Sequence, residues 1–194
     1  MDEFNFRKWD VAVMSTSSWL SRIIHFFIGK WSHCFIYMGS GNIFHADRGR
    51  TRYEPIRKLL SGSPNIVGHV FEPRFVVDEN VTDARVAELD HHPYDLQGAI
   101  GRGLDRILFW LFGQRREGKS KFGNDNAYFC SELVSGVFNR NVRPNVDATA
   151  LEPNDIMAPD SIFKYRCSFK YDTKNSTFIW YVDEGRNNAN NKNT

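Results

Sequence analysis

The stretch from Trp31 to Ala46 constrains the fold more than any other part of the chain. Two β-prone runs, Trp31–Met38 and Ile43–Ala46, flank Gly39-Ser40-Gly41-Asn42. Runs of this kind around a glycine-rich turn specify an antiparallel hairpin. Asp10–Met14 reads as a short buried strand near the start of the fold. Asp47–Arg52 reads as a polar loop, followed by a possible edge strand, Tyr53–Ile56, that Pro55 interrupts. Ile66–Phe71 is a further strand closed by Pro73, and Thr177–Val182 a last one.

Helical spacing marks the rest. Ser15–Ser18 supply N-cap chemistry for a helix through Trp19, Leu20, Ile23, Ile24 and Phe27, ended by Gly29. From Val81 the pattern is helical again, with Thr82 or Asp83 as cap and Ala84, Val86, Ala87 and Leu89 behind it. Pro93-Tyr94-Asp95 opens a segment, Leu96–Leu104, that runs into the apolar Ile107–Phe112. Gly113–Asn126 is a charged loop, Tyr128–Phe138 a clear helix and Leu151–Tyr165 a proline-marked connection. With 194 residues, 41% of them hydrophobic, the chain suits one domain over 1–183. The Asn-rich stretch 184–194 has nothing to bury and is expected to be a disordered tail.

Charge and cysteine usage narrow the function. The 25 basic and 23 acidic residues nearly cancel, which gives no argument for a nucleic-acid partner. Cys34, Cys130 and Cys167 cannot all pair, and reduced thiols in a cytoplasmic-type compartment are expected. The opening MDEFNFRKWDVAV does not read as a secretory signal. Trp19–Trp31 and Leu104–Phe112 are both shorter than the roughly 20 residues of a membrane span, so no transmembrane segment is expected. Delivery outside the cell remains compatible with these features.

Cys130 carries the most chemistry. In YFCSELVSGVF, Leu133, Val134, Val137 and Phe138 follow it at three, four, seven and eight residues, which places it on the core side of a first helical turn. Unpaired N–H groups and the helix dipole favour a thiolate there, and a neighbouring imidazole would make it a nucleophile. A buried structural cysteine fits the spacing equally well. His33 and His45 lie on the two strands of the hairpin, so their rings can be adjacent on one face, one as base and one orienting it. Glu54 could also orient His33, but it precedes Pro55 in an edge or loop segment. His45 is therefore the expected partner, and Glu54→Gln is expected to be nearly silent. His25, His69, His91 and His92 offer no matching cysteine. Strand alternation sends His33 and Cys34 to opposite faces, and no CxxC or HxxxH spacing occurs, so no metal is expected. Nor does GRGLDR around Gly101 have the spacing of a phosphate loop, so no cofactor is expected.

Three segments in this order, WSHCFIYMGSGNIFHA, HPYDLQGAI and NAYFCSELV with LEPNDIMAPD, resemble the circularly permuted papain-like amidases and peptidases. This is the YiiX-like branch of the NlpC-type superfamily, to which lecithin:retinol acyltransferase is related. The resemblance covers roughly residues 9–165 in patches. It implies an α+β, permuted papain-like fold: a small antiparallel sheet packed against helices, with the cysteine at the N-terminus of a core helix. It also implies Cys130 as nucleophile, His33 as the strand histidine and His45 as the third polar residue. That third position is often Glu in the YiiX-like branch and His in the acyltransferase branch. Tyr94 matches the family's Tyr-Asp element near the nucleophile, and its hydroxyl would help the Cys130 N–H hold an oxyanion. Asp10–Val13 resembles the first strand, with Trp9 where the family commonly has glycine. The implied activity is a thiol amidase or peptidase acting on a peptide or amide-bearing substrate through an acyl-enzyme. A lipid acyltransferase or thioesterase, and a catalytically silent binding module, are the alternatives.

Overall fold

The computed structural model describes residues 5–15, 31, 33–47, 49–61, 66–93, 130–142, 156–159 and 161–181. The helix expected over 15–29, the segments expected over 94–126 and the tail 184–194 lie wholly or almost wholly outside these residues. Among the described residues seven strands build one antiparallel sheet: β1 (Val11–Ser15), β2 (His33–Gly39), β3 (Asn42–Asp47), β4 (Arg50–Pro55), β5 (Ile66–Pro73), β6 (Phe163–Asp172) and β7 (Thr177–Tyr181). They lie in the order β4-β3-β2-β1-β5-β6-β7. With helices α1 (Ile56–Ser61), α2 (Glu79–Leu89) and α3 (Cys130–Val142), the architecture is α+β.

The β2–β3 hairpin forms where the sequence places it. Its turn needs left-handed backbone at three successive residues, with φ of 89° at Gly39, 51° at Ser40 and 76° at Gly41. Two glycines supply most of that freedom, and the Gly41 N–H donates to the Tyr37 hydroxyl at 2.8 Å.

The sheet is larger than the small one expected, for two local reasons. Asp47 pairs with Arg50, so after Gly49 at φ 101° the chain is already back in the sheet, rather than looping as far as Arg52. β4 then runs in register with β3 as far as Asn42 opposite Pro55, where the proline closes the strand instead of interrupting it. At the other edge, β6 already begins at Phe163, inside the stretch read as a connection, and pairs along the whole of β5.

Helix α2 starts earlier than its hydrophobic spacing suggests. Asp78 is the cap, accepting from the Val81 N–H at 3.1 Å. Thr82 is not the cap but a buried helical residue whose hydroxyl donates to the Asp78 carbonyl at 2.7 Å.

Each face of the sheet carries its own core among the described residues. On one, Val11, Val13, Cys34, Ile36, Phe44 and Ala46 pack against Val86 and Leu89 of α2 and Leu133, Val134, Val137 and Phe138 of α3. On the other, Ala12, Met14, Phe35, Tyr37 and Ile43 meet Ile56 and Leu60 of α1, with Phe6 stacked on Tyr37 at 5.1 Å. This two-sided burial explains why β1 and β2 read as near-continuous apolar runs.

Trp9 has φ 76°, a backbone region that favours glycine. The strain, of order 1–3 kcal/mol, is offset by burial of the indole, which meets Phe138 edge-on at 6.4 Å and lies under Lys8 Nζ at 4.7 Å.

Candidate active site

Helix α3 brings Cys130 to the sheet. Its apolar positions are buried against β2 and β3, and Cys130 is itself only 6% exposed. The thiol lies in hydrogen-bonding contact with Cys34 and with His33, the first two residues of β2. Being at the mouth of its strand, His33 reaches both Cys130 and the neighbouring strand.

The pairing of Phe35 with His45 puts His33, Phe35 and His45 on one face. His33 Nε2 and His45 Nδ1 are 3.0 Å apart, with their rings nearly perpendicular. Behind them, His45 Nε2 lies 2.9 Å from Glu54 Oε1. Glu54 stands opposite Ile43 on β4 and therefore shares the face of His45. Its other oxygen is 2.9 Å from Lys58 Nζ, one helical turn on, and 3.9 Å from the Arg52 guanidinium.

Proton positions in this relay follow from the acceptors. A carboxylate can only accept, so His45 Nε2 carries the hydrogen donated to Glu54. Burial, reinforced by positive charge at His33, Arg52 and Lys58, lowers the His45 pKa to about 2. Its ring is neutral at physiological pH, and its contact with Glu54 is a hydrogen bond rather than an ion pair. Nδ1 of His45 is then an acceptor and His33 Nε2 the donor. The remaining His33 nitrogen, Nδ1, is the atom available to exchange a proton with Cys130.

The two cysteines at this point differ sharply. Hydrogen bonds from Cys34 and then from His33, together with the charge on His33, hold the Cys130 thiol well below its ordinary range, although burial opposes them. Cys34 is pushed well above its range by burial, and further by its contact with Cys130. The pair is a thiolate at Cys130 and a donating thiol at Cys34. Cys167 belongs to the core of the opposite face, and burial raises its pKa too.

Of the residues expected from the sequence, Cys130, His33 and His45 come together in one site, while Tyr94 lies outside the described residues. Pro93, the residue before it, bridges to Arg50. The places of Glu54 and Cys34 in the site do not follow from sequence spacing alone. Glu54 does not compete with His45 for His33 but stands behind it, bonded to the other His45 nitrogen. The sequence signal for it is Gly49, whose positive φ precedes the pairing of Arg50 with Asp47 that sets the register of β4. Cys34 lies on the face opposite His33, as strand alternation predicts, yet both reach Cys130. Among the described residues no group of His, Cys, Asp or Glu has the arrangement of a metal centre, and no helix is long and apolar enough to cross a membrane.

Compared with known proteins, the chain matches no family model and no curated sequence.

Proposed function

We propose that this protein is a cysteine-dependent amide hydrolase of the permuted papain-like type. The observation that carries the reading is the continuous relay Cys130–His33–His45–Glu54, in which a buried carboxylate fixes one imidazole and that imidazole fixes the next. The order follows general acid–base logic. The Cys130 thiolate attacks the scissile carbonyl carbon, and the resulting oxyanion is held by the Cys130 N–H, with Tyr94 as the second donor. The C–N bond breaks as His33 gives its proton to the leaving amine, leaving a thioester. His33 then takes a proton from water as the water attacks that thioester, releasing the carboxylic acid and the thiolate.

His45 never needs to change its protonation state in this scheme. It accepts from His33 throughout and keeps the His33 ring turned toward Cys130. Removing one oxyanion donor should lower the rate by about 10²–10³.

Peptide amides and activated esters test the reading. A burst of leaving group with a matching acyl mass on the Cys130 peptide is expected, and Cys130→Ala and His33→Ala should abolish turnover. Full activity in Cys130→Ala would overturn it. A lipid acyltransferase or thioesterase is the second reading, carried by the histidine rather than glutamate at position 45. Liposome binding lost on Trp110→Asp would favour it.

A further inference from the structure

Cys34 takes no part in the acyl chemistry, yet it touches the nucleophile. Cys34 and Cys130 share the core on one face of the sheet, where α3 docks on β2, and their side chains are hydrogen-bonded to each other. Cys34 is the second residue of β2 and Cys130 the first of α3, so each stands near the end of its element. Cys34 is fully buried, whereas Cys130 keeps 6% of its surface open. A small reagent from solvent therefore meets Cys130 first, and Cys34 stands directly behind it. Cys167 belongs to the core of the opposite face. All three cysteines are free thiols in the structure.

Resting on the nucleophile assigned above, we propose that Cys34 and Cys130 form an oxidation site, which a hydroperoxide closes into a reversible intramolecular disulfide that switches the nucleophile off. The Cys130 sulfur attacks one peroxide oxygen. An S–O bond forms, the O–O bond breaks, and the departing hydroxide or alkoxide takes the His33 proton and leaves as water or an alcohol. Cys130 is then a sulfenic acid. The Cys34 sulfur next attacks the Cys130 sulfur while its own thiol proton passes to the sulfenic hydroxyl. The S–S bond forms, the S–O bond breaks, and water leaves. The two cysteines together lose two electrons, and the peroxide gains them.

The second step needs no solvent access at Cys34, because its electrophile is the sulfur that Cys34 already touches. A disulfide holds its sulfurs about 2.05 Å apart, so the pair must close from hydrogen-bond contact, a movement asked of two residues near the ends of their elements. A sulfenic acid with no thiol beside it is open to further oxidation to the sulfinic acid, which ordinary thiols do not reduce. Cys34 intercepts it at the reversible stage. Where thiols are kept reduced, a bond of this kind is transient, and exchange with a small thiol returns both cysteines and the nucleophile.

Limiting hydrogen peroxide on the native full chain, followed by denaturation in N-ethylmaleimide and mass spectrometry, tests the site without any substrate. The wild-type protein should lose two hydrogens and yield, on digestion, a peptide pair linked through Cys34 and Cys130. Its iodoacetamide labelling at Cys130 should disappear until dithiothreitol restores it. Cys34→Ala should instead gain two oxygens at Cys130, with nothing restored by dithiothreitol. Cys34→Ser, closer in size, should do the same and serves if alanine unsettles the core. Cys167→Ala should behave as the wild type. Sulfinic acid as the main product at wild-type Cys130, or a disulfide through Cys167 or between two chains, would overturn the site. If neither iodoacetamide nor peroxide modifies native Cys130, the nucleophile falls and the disulfide with it. If iodoacetamide labels Cys130 but no link to Cys34 forms, the disulfide alone is lost.

Discussion

Glu54 acts on Cys130 only through two imidazoles, and the size of that influence can be worked from the relay. The path from Glu54 Oε1 through His45 to His33 Nε2 has contacts of 2.9 and 3.0 Å and spans about 8 Å in all. A carboxylate 8 Å from an imidazolium, at an effective dielectric of about 20, stabilises it by about 2 kcal/mol. Lys58 and Arg52 stay in place when Glu54 is replaced, so the imidazolium loses this whole amount, about one and a half pKa units. Glu54→Leu removes the charge, the acceptor that fixes the His45 tautomer and a buried hydrogen bond together. The positive charge on His33 helps hold Cys130 low, so its loss must raise the Cys130 pKa. The thiolate is present above that pKa, and the acid limb of its reactivity should therefore move up, by at most the same one and a half units. Glu54→Gln, which keeps one acceptor oxygen, should move it less. The assay is the ultraviolet thiolate absorbance against pH, taken as the difference from Cys130→Ser in each background. An unmoved or lowered Cys130 transition in Glu54→Leu would refute the relay as the source of the low pKa.

Other substitutions probe the parts separately. Cys34→Ala removes the hydrogen bond that contributes most to the low Cys130 pKa; turnover should persist but weaken on the acid side. Cys167→Ala, on the opposite face, should leave the pH–rate profile in place. His45→Gln retains a donor and an acceptor and should keep partial rate, whereas His45→Ala should fall much further, measured as kcat at fixed pH. Gly68→Ala tests the second core: an added Cβ would sit 2.5 Å from the Phe169 ring and 3.0 Å from the Val13 carbonyl oxygen. Phe169 is held by Phe6, Phe178 and Trp180, so a loss of about 1–3 kcal/mol in urea unfolding is expected. An unchanged midpoint would mean that the ring can step aside.

Much of the site is legible in the residues, because it depends on local signals. The Gly39–Gly41 turn fixes the hairpin and with it the adjacency of His33 and His45. The apolar spacing after Cys130 fixes the face that the thiol presents. Glu54 is hidden in the sequence because Pro55 occupies the last ladder position, where a proline ends a strand without interrupting it. The beginning of helix α2 is hidden because its first turn exposes Val81 and contains no apolar stripe, so only the Asp78 cap marks it. The contact of Tyr165 with Ser168 depends on a bulge in β6, and bulges leave no periodic trace in sequence. The nearness of Cys34 to Cys130 is set by docking of α3 on β2, a tertiary contact that strand alternation alone does not disclose.

The central claim is that Cys130, and neither other cysteine, is an activated thiolate in the folded protein. Competitive labelling of the native chain with limiting iodoacetamide at about pH 6, where an ordinary thiol is almost wholly protonated, tests it without any substrate. Peptide mapping should find Cys130 modified well ahead of Cys34 and Cys167, with the advantage lost in His33→Ala. Equal modification of all three cysteines, or modification of Cys130 only after unfolding, would contradict the account.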